Sequence, residues 1–250
     1  ILAASQPDLI FAHGGQCSEA AALVAADFPD TQFVVVQGFV TDNNLSSYEV
    51  LQEQSAWLGG AAAGLLTRSQ VVGHISGIRV RPGLKGRAAF ADGLRYTNPS
   101  AEFLTIFCGD QDDTELAKTV ALAEIEAGAD IIFTMLNAGR AGAIEACREQ
   151  GAYQIGNVRD WYPDAPDVFI ASAIADVSLA SVLATQDYLA GDLRGDRLRK
   201  IGLEVSEAVS LAMAPTVSAA IQAEIQRLSQ QIVSGVIDIP EEYDGPEFEL

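Results

Sequence analysis

A chain of 250 residues that is 49% hydrophobic, with a mean hydropathy of +0.18, has apolar side chains enough for one large core or two ordinary ones, which argues against a disordered chain. Its 34 acidic and 15 basic residues leave a net charge of −19, which repels nucleic-acid phosphates and anionic lipid and so weighs against nucleic-acid partners. Cys17, Cys108 and Cys147 are too scattered for a metal or CxxC site, His13 and His74 are the only histidines, and no apolar run approaches the length of about 18 residues that a bilayer requires, so no metal, cofactor or membrane span is expected.

Short β-rich runs alternate with Ala-rich helical runs along the chain, which is the pattern of parallel βαβ units. The pattern predicts a strand over 8–13, a helix over 18–28, a strand over 32–37 and a brief extended piece over 48–51. A helix over 53–68 follows, with Trp57, Leu58, Ala61 and Leu65 on one side. A second series then runs strand 71–76, helix 84–96, strand 103–107, helix 114–127, strand 131–136, helix 141–150 and strand 153–156, with Gly128 and Gly151 placed where helices end. Strand 168–174 leads into helix 178–190, closed by Gly191. A strand-like piece over 200–205, a helix with Val217, Ile221, Ile225, Leu228 and Ile232 on one stripe, and an acidic tail over 241–250 complete the chain.

The fold class read from this order is α/β, with two doubly wound parallel-sheet lobes. Lobe 1 takes residues 1–69 with 175–198, lobe 2 takes 70–174, and 199–250 form a hinge return, the C-terminal helix and the tail. The first series holds only two good strands and two helices, too few to cover both faces of a parallel sheet. Helix 178–190 is therefore expected to return to it, and a first β-α-β unit is expected ahead of Ile1.

Residues 11–16, Phe-Ala-His-Gly-Gly-Gln, lie between a strand and a helix, where an oxyanion hole, a phosphate cradle or a ligand-facing loop can sit. An oxyanion loop of this kind needs a nucleophile on a GxSxG elbow; none occurs, and Gly73-His74-Ile75-Ser76-Gly77 has the wrong spacing. GxGxxG and GxxxxGK[ST] are absent too. Small, polar or aromatic residues do recur after successive strands, at 13–16, 38–39, 77–79, 109–111, 137–140 and 157–161. Ligands of open α/β sheets bind at such strand ends, where glycines admit backbone N–H groups, Asn137 and Asp160 can hydrogen-bond, and Phe39 or Trp161 can stack on a flat ring.

The candidate ligand contacts are therefore His13, Gly14, Gln16, Phe39, Gly77, Asn137, Gly139, Asp160 and Trp161. No activated nucleophile or paired acid and base stands among them, so binding is expected in place of catalysis. Plainer readings exist for each: glycines as turn residues, His13 as a hydrogen-bonded turn residue, Trp161 as packing for its loop. Arg79, Arg81, Lys85 and Arg87, near a helix start, could meet an anion but read more plainly as a solvated helical face.

Four stretches in order resemble the basic membrane protein (BMP) family of ABC-transporter solute-binding lipoproteins, purine nucleoside receptor type. Residues 43–77, NNLSSYEVLQEQSAWLGGAAAGLLTRSQVVGHISG, are similar to the family's stretch with a Glu-x-x-x-aromatic-Leu-x-Gly-x-x-Ala helix. AFADGLRYTNPSAEF (89–103) looks like its GF-x-x-G-x-x-x-x-NP segment, while EIEAGADIIF (124–133) and AIEACREQGAYQIGN (143–157) look like its GAD-x-IF and IEAA-x-x-x-G-x-x-x-IG pieces. The likeness covers most of residues 8–240.

The resemblance implies a type I periplasmic-binding fold, its lobes joined by a multi-strand hinge, that closes like a Venus flytrap on an unaltered ligand and passes it to an ABC permease. It also implies a periplasmic or cell-envelope location, with membrane contact only through a lipid anchor outside this chain. In the family's nucleoside receptors an acidic residue after the "IG" strand holds the sugar, and Asp160 matches it. Ala175 stands where the family has a lysine, Trp161 where it commonly has glutamine, and residues 137–140 replace a glycine-rich loop, so a free nucleobase joins a purine nucleoside as the expected ligand. The family's first β-α-β unit, which carries an Asp/Asn pair and an aromatic that touch ligand, has no counterpart among these residues. Two rival readings are an enzyme acting on nucleosides and the ligand-sensing domain of a regulator.

Overall fold

The computed structural model describes residues 2–193 and 195–250. In chain order the elements are β1 (Leu9–His13), α1 (Ser18–Asp27), β2 (Gln32–Val36), β3 (Leu45–Val50), α2 (Gln52–Leu66), β4 (Val71–Ser76) and α3 (Arg81–Thr97). They continue as β5 (Glu102–Phe107), α4 (Thr114–Glu126), β6 (Ile131–Met135), α5 (Arg140–Gln150), β7 (Tyr153–Val158) and β8 (Phe169–Ala175). The last are α6 (Ser178–Leu189), β9 (Leu198–Ile201), β10 (Val209–Met213) and α7 (Ala219–Val233). None of the described helices is long and apolar enough to cross a membrane.

Contacts divide the chain into one unit of Ile1–Leu51 with Asp176–Ala208 and another of Gln52–Ala175 with Val209–Leu250. The first unit carries a parallel sheet of order β1-β2-β3-β9. Phe33, Val35 and Leu45 pack with Ala21 and Ala25 of α1, and α6 lies on β2 and β3. Asn44 fixes the end of α1 by donating Nδ2–H bonds to the carbonyls of Ala25 (3.1 Å), Phe28 (2.9 Å) and Thr31 (2.8 Å). On β3 Tyr48 donates its hydroxyl to Asp187 at 2.6 Å, and Arg199 of the edge strand β9 pairs with the same carboxylate at 2.9 Å.

The second unit has the strand order β10-β8-β7-β6-β4-β5, parallel from β8 through β5, with β10 antiparallel on β8. The chain enters at β4, goes to one side for β5 and then crosses to the other for β6, so the order reverses at β4. Such a reversal splays the connections apart and leaves a crevice at the strands' C-terminal ends.

The contact division differs from the sequence expectation. Helix α2 goes with the second unit because it packs backbone to backbone on α3: a Cβ on Gly60 would collide with the Phe90 carbonyl, and one on Gly93 with the Trp57 carbonyl. Trp57 adds an indole N–H bond to Asp92 at 2.7 Å. Residues 209–250 join the same unit, through α7 against α2 and through β10 on β8. β10 has no counterpart in the predicted elements, since Val-Ser-Leu-Ala-Met on a sheet edge is as compatible with helix as with strand. The predicted strand over 200–205 sits earlier, at Leu198–Ile201.

The basic cluster is a solvated face only in part: Arg79 and Arg81 are exposed, while Lys85 and Arg87 are buried. Lys85 is 4% and Arg87 6% exposed. Lys85 pairs with Glu53 of α2 and at 3.0 Å with Glu241, while Arg87 pairs with Glu247 at 2.5 Å and lies over the rings of Phe107 and Tyr243. Arg79 also meets Glu247. The acidic tail supplies Glu241 and Glu247, and the Phe248 N–H reaches the Thr105 carbonyl of β5 at 2.8 Å. Buried cations next to apolar rings need such partners, which periodicity alone does not reveal.

Two outcomes follow. Alanine normally stabilises a helix over glycine by about 1 kcal/mol, but Gly93→Ala would force the α2–α3 contact apart, so its urea unfolding midpoint should fall, with a net loss of about 1–3 kcal/mol. Glu124 is fully buried, and burial raises it well above the usual carboxylate range, with the backbone of His74 opposing the rise. A carboxyl raised in this way is neutral in both states below about pH 4; above that the pH-dependent penalty grows until the pH reaches its folded value and is then constant. Glu124→Met should therefore raise Tm by several degrees at pH 8 and much less at pH 4; a gain independent of pH would contradict this.

Candidate functional site

The crevice at the strand reversal of the second unit is an open pocket of about 480 Å³. Ser76 ends β4, Met135 and Leu136 end β6, Asn157 and Val158 end β7, and Gln111 comes from the loop after β5. Gln52 at the start of α2 and Pro82 and Gly83 in the first turn of α3 close another side. The walls thus join apolar Ile78, Val80, Pro82 and Met135 to the amides of Gln52, Gln111, Asn137 and Asn157 and to two arginines, Arg140 and Arg159.

Local hydrogen bonds hold the turn after β6. The N–H groups of Asn137 and Gly139 both donate to the Gln111 carbonyl at 3.0 Å, and the Ala138 N–H donates to Asp112 at 3.1 Å. Arg140 opens α5 with its side chain folded back on the strand ends, donating to the Thr134 carbonyl (3.1 Å), the Thr134 hydroxyl (2.6 Å), the Leu136 carbonyl (2.7 Å) and Asn157 Oδ1. Burial, with Arg159 nearby, pulls its guanidinium down to about 9. After β7, the Asn157 carbonyl accepts from the Arg159 N–H (3.0 Å) and the Trp161 indole N–H (2.8 Å). Val158 between them has φ 74°, a left-handed conformation that costs a β-branched residue about 1–3 kcal/mol and marks strain on the pocket rim.

Ser76 and His74 have the contacts of a nucleophile and base, 2.9 Å apart, with Thr105 at 2.8 Å on the other ring nitrogen. No carboxylate backs this imidazole; burial first, and Arg87 second, pull it down to about 3, so it has little drive to take a proton at neutral pH. Among the described residues no group of His, Cys, Asp and Glu is arranged to hold a metal ion.

The structure divides the nine candidate contacts between the units. His13, Gly14, Gln16 and Phe39 all belong to the first, beside the C-terminal ends of β1 and β2, which pair in register through His13 and Val36. Gly14 has φ 96° and donates its N–H to the Val36 carbonyl at 2.8 Å; Phe39 is 49% exposed, its ring close to Gly15. In the second unit Asn137 and Trp161 line the pocket. Gly77, Gly139 and Asp160 stand behind its lining: Gly77 gives room to Gln111, Gly139 caps α5, and the Asp160 carboxylate accepts the Tyr162 N–H at 3.0 Å in an exposed turn. The Trp161 ring already carries the guanidinium groups of Arg140 (4.4 Å) and Arg159 (3.7 Å) and neighbours Phe169.

Sequence reasoning passed over Arg140, Asn157, Gln52 and Ser76. Arg140 and Asn157 do lie within the strand-end segments 137–140 and 157–161, but an arginine opening a helix reads by default as a solvated charge. Gln52 carries no such signal, because its place depends on α2 packing with α3.

The sequence matches the Bmp family, described as ABC transporter substrate-binding protein PnrA-like, over residues 2–243. Basic membrane protein A of Borreliella burgdorferi is 27% identical over 240 residues, covering 93% of this chain and 71% of that protein. Transcriptional activator protein Med of Bacillus subtilis is 26% identical over 188 residues, covering 75% of this chain and 58% of that protein. This chain therefore spans a little over half the length of the Bacillus relative. Among solved structures, an ABC transporter solute-binding protein from Aeropyrum pernix K1 matches with a TM-score of 0.81 at 20% identity, covering 96% of this chain and 79% of that one. A transcriptional activator of the comK gene from Bacillus halodurans matches with a TM-score of 0.81 at 22% identity, covering 96% and 82%. These likenesses bear out the α/β fold with two parallel-sheet lobes, and the chain belongs to the Bmp family of PnrA-like ABC transporter substrate-binding proteins.

Proposed function

We propose that the chain is the solute-binding receptor of an ABC importer and that its ligand is a purine nucleoside or a free nucleobase, released intact to a permease. The observation that carries this reading is the pocket at the strand reversal, whose volume of about 480 Å³ lies within the ordinary range of small-molecule sites. Its amides can pair with the mixed donor and acceptor edge of a purine, since each presents both an N–H₂ and a carbonyl. Ile78, Val80, Pro82 and Met135 offer apolar surface to the ring. Asn137 is the side chain assigned here to the base edge, and His13, Gln16 and Phe39 are assigned as the first unit's contacts. Capture by lobe closure and an extracytoplasmic location, periplasmic or anchored at the cell envelope by lipid, belong to the same proposal and rest on the family.

A second reading, the ligand-sensing part of a regulator, is favoured by the two relatives named as transcriptional activators. The net charge of −19 opposes direct contact of this chain with DNA. The full-length reading frame separates the readings: a lipoprotein signal ahead of this chain fits the receptor, and a basic helix-turn-helix ahead of it fits the regulator.

The purine proposal is tested by thermal shift with purines, pyrimidines, their nucleosides, sugars and amino acids. A ligand at about 100 times its Kd should add about 2.7 kcal/mol, which shows as a rise of several degrees in Tm. Asn137→Ala should weaken binding about tenfold, the effect of losing about 1.4 kcal/mol, with little change in the ligand-free Tm. Chromatography after incubation should return each nucleoside uncleaved; free base would favour an enzyme. Stabilisation by sugars or amino acids and by no purine would overturn the proposal.

A further inference from the structure

The pocket's charge runs against that of the chain. Among 34 acidic and 15 basic residues, none of the acidic ones lines it and two arginines do. Arg140 is only 2% exposed, and its four donated bonds go to neutral oxygens, of Thr134 twice, Leu136 and Asn157. Its Nε–H has no acceptor, and among the described residues no carboxylate pairs with it. The other two buried cations of this unit are treated differently: Lys85 is matched by Glu53 and Glu241, Arg87 by Glu247.

A buried charge without an opposite charge is costly to keep, and a second cation stands beside it. Arg159 shares the Trp161 ring with Arg140, and its pairing with Asp164 at 2.7 Å is a surface contact between side chains 53% and 51% exposed, weak enough to be exchanged. An anion in the pocket would relieve both.

The local backbone disfavours a phosphate as that anion. The N–H groups at the start of α5, which would cradle one, are taken: Arg140 by the Asn137 carbonyl (3.2 Å), Ala141 by Ala138 (3.1 Å) and Gly142 by Gly139 (3.0 Å). Those of 137–139 are taken by Gln111 and Asp112. What remains is a cationic field beside apolar walls and planar amides, which suits a flat ring with its charge spread over several atoms.

We infer that the pocket selects a planar heterocyclic anion, which within the purine proposal above, on which this rests, means an acidic oxopurine of the xanthine or urate type. Arg159 is assigned as the direct contact and Arg140 as a positioning residue that sets the field and holds Asn157 toward the ligand.

The test is isothermal titration of the protein with urate, xanthine, hypoxanthine, inosine and, as a non-purine anion, orotate. Urate or xanthine should bind at least tenfold more tightly than hypoxanthine, which has the same ring system but stays neutral. Affinity for xanthine should rise from pH 6 to pH 8 as it ionises, with no such rise for hypoxanthine. Arg159→Gln, a surface change that should fold normally, should remove most of the preference, and Arg140→Lys, which keeps the charge, should retain more of it than Arg140→Met. Hypoxanthine or inosine binding as tightly as the anions would overturn this inference and leave the purine proposal standing. Orotate binding with none of the four purines bound would support charge selection and overturn the oxopurine assignment. Binding of none of the five would overturn this inference, and the wider purine panel of the thermal-shift test then decides the purine proposal by itself.

Discussion

The close approach of α2 to α3 is the constraint on which the second lobe depends. Gly60 and Gly93 each face a carbonyl of the opposite helix, a spacing that no side chain larger than hydrogen permits. The same contact brings Gln52, at the head of α2, and Pro82 and Gly83, at the head of α3, to the ends of β4, β6 and β7. The pocket wall is therefore a by-product of helix packing, and its shape is only as well defined as that packing is tight.

Charge is distributed by a consistent rule with one departure. Where a cation is buried for architecture, as Lys85 and Arg87 are, the fold brings carboxylates to it from α2 and from the segment over 241–247. Where a cation faces the pocket, as Arg140 does, it is surrounded by carbonyls, an amide and an indole. Strain at Val158 on the same rim agrees with a region shaped by its use, since such conformations persist only where the surroundings enforce them.

Much of this architecture is legible in the sequence. The alternation of β-rich and Ala-rich runs places nearly all the strands and helices within a few residues, because both lobes obey local periodicity. What periodicity cannot convey is which lobe an element joins. α2 reads as the close of the first series until its glycines are seen against α3, and β10 is invisible until β8 offers it an edge. The site shows the same division. Strand-end segments lead directly to Asn137 and Trp161, yet the direction a side chain takes within such a turn is decided by its hydrogen bonds. Asp160 folds onto the Tyr162 N–H, the Trp161 ring is covered by guanidinium groups, and Arg140 turns inward.

The segment that reaches β5 through Phe248 has a consequence of another kind. β5 is the outer strand of a six-stranded sheet, and an outer strand exposes a row of unpaired peptide groups that a neighbouring molecule can zip onto. Phe248 claims the Thr105 carbonyl, and Glu247 beside it is held by Arg79 and Arg87, which keeps the segment on that edge. The segment therefore doubles as a guard against intermolecular strand addition, keeping a chain so rich in β-branched strands from assembling edge to edge.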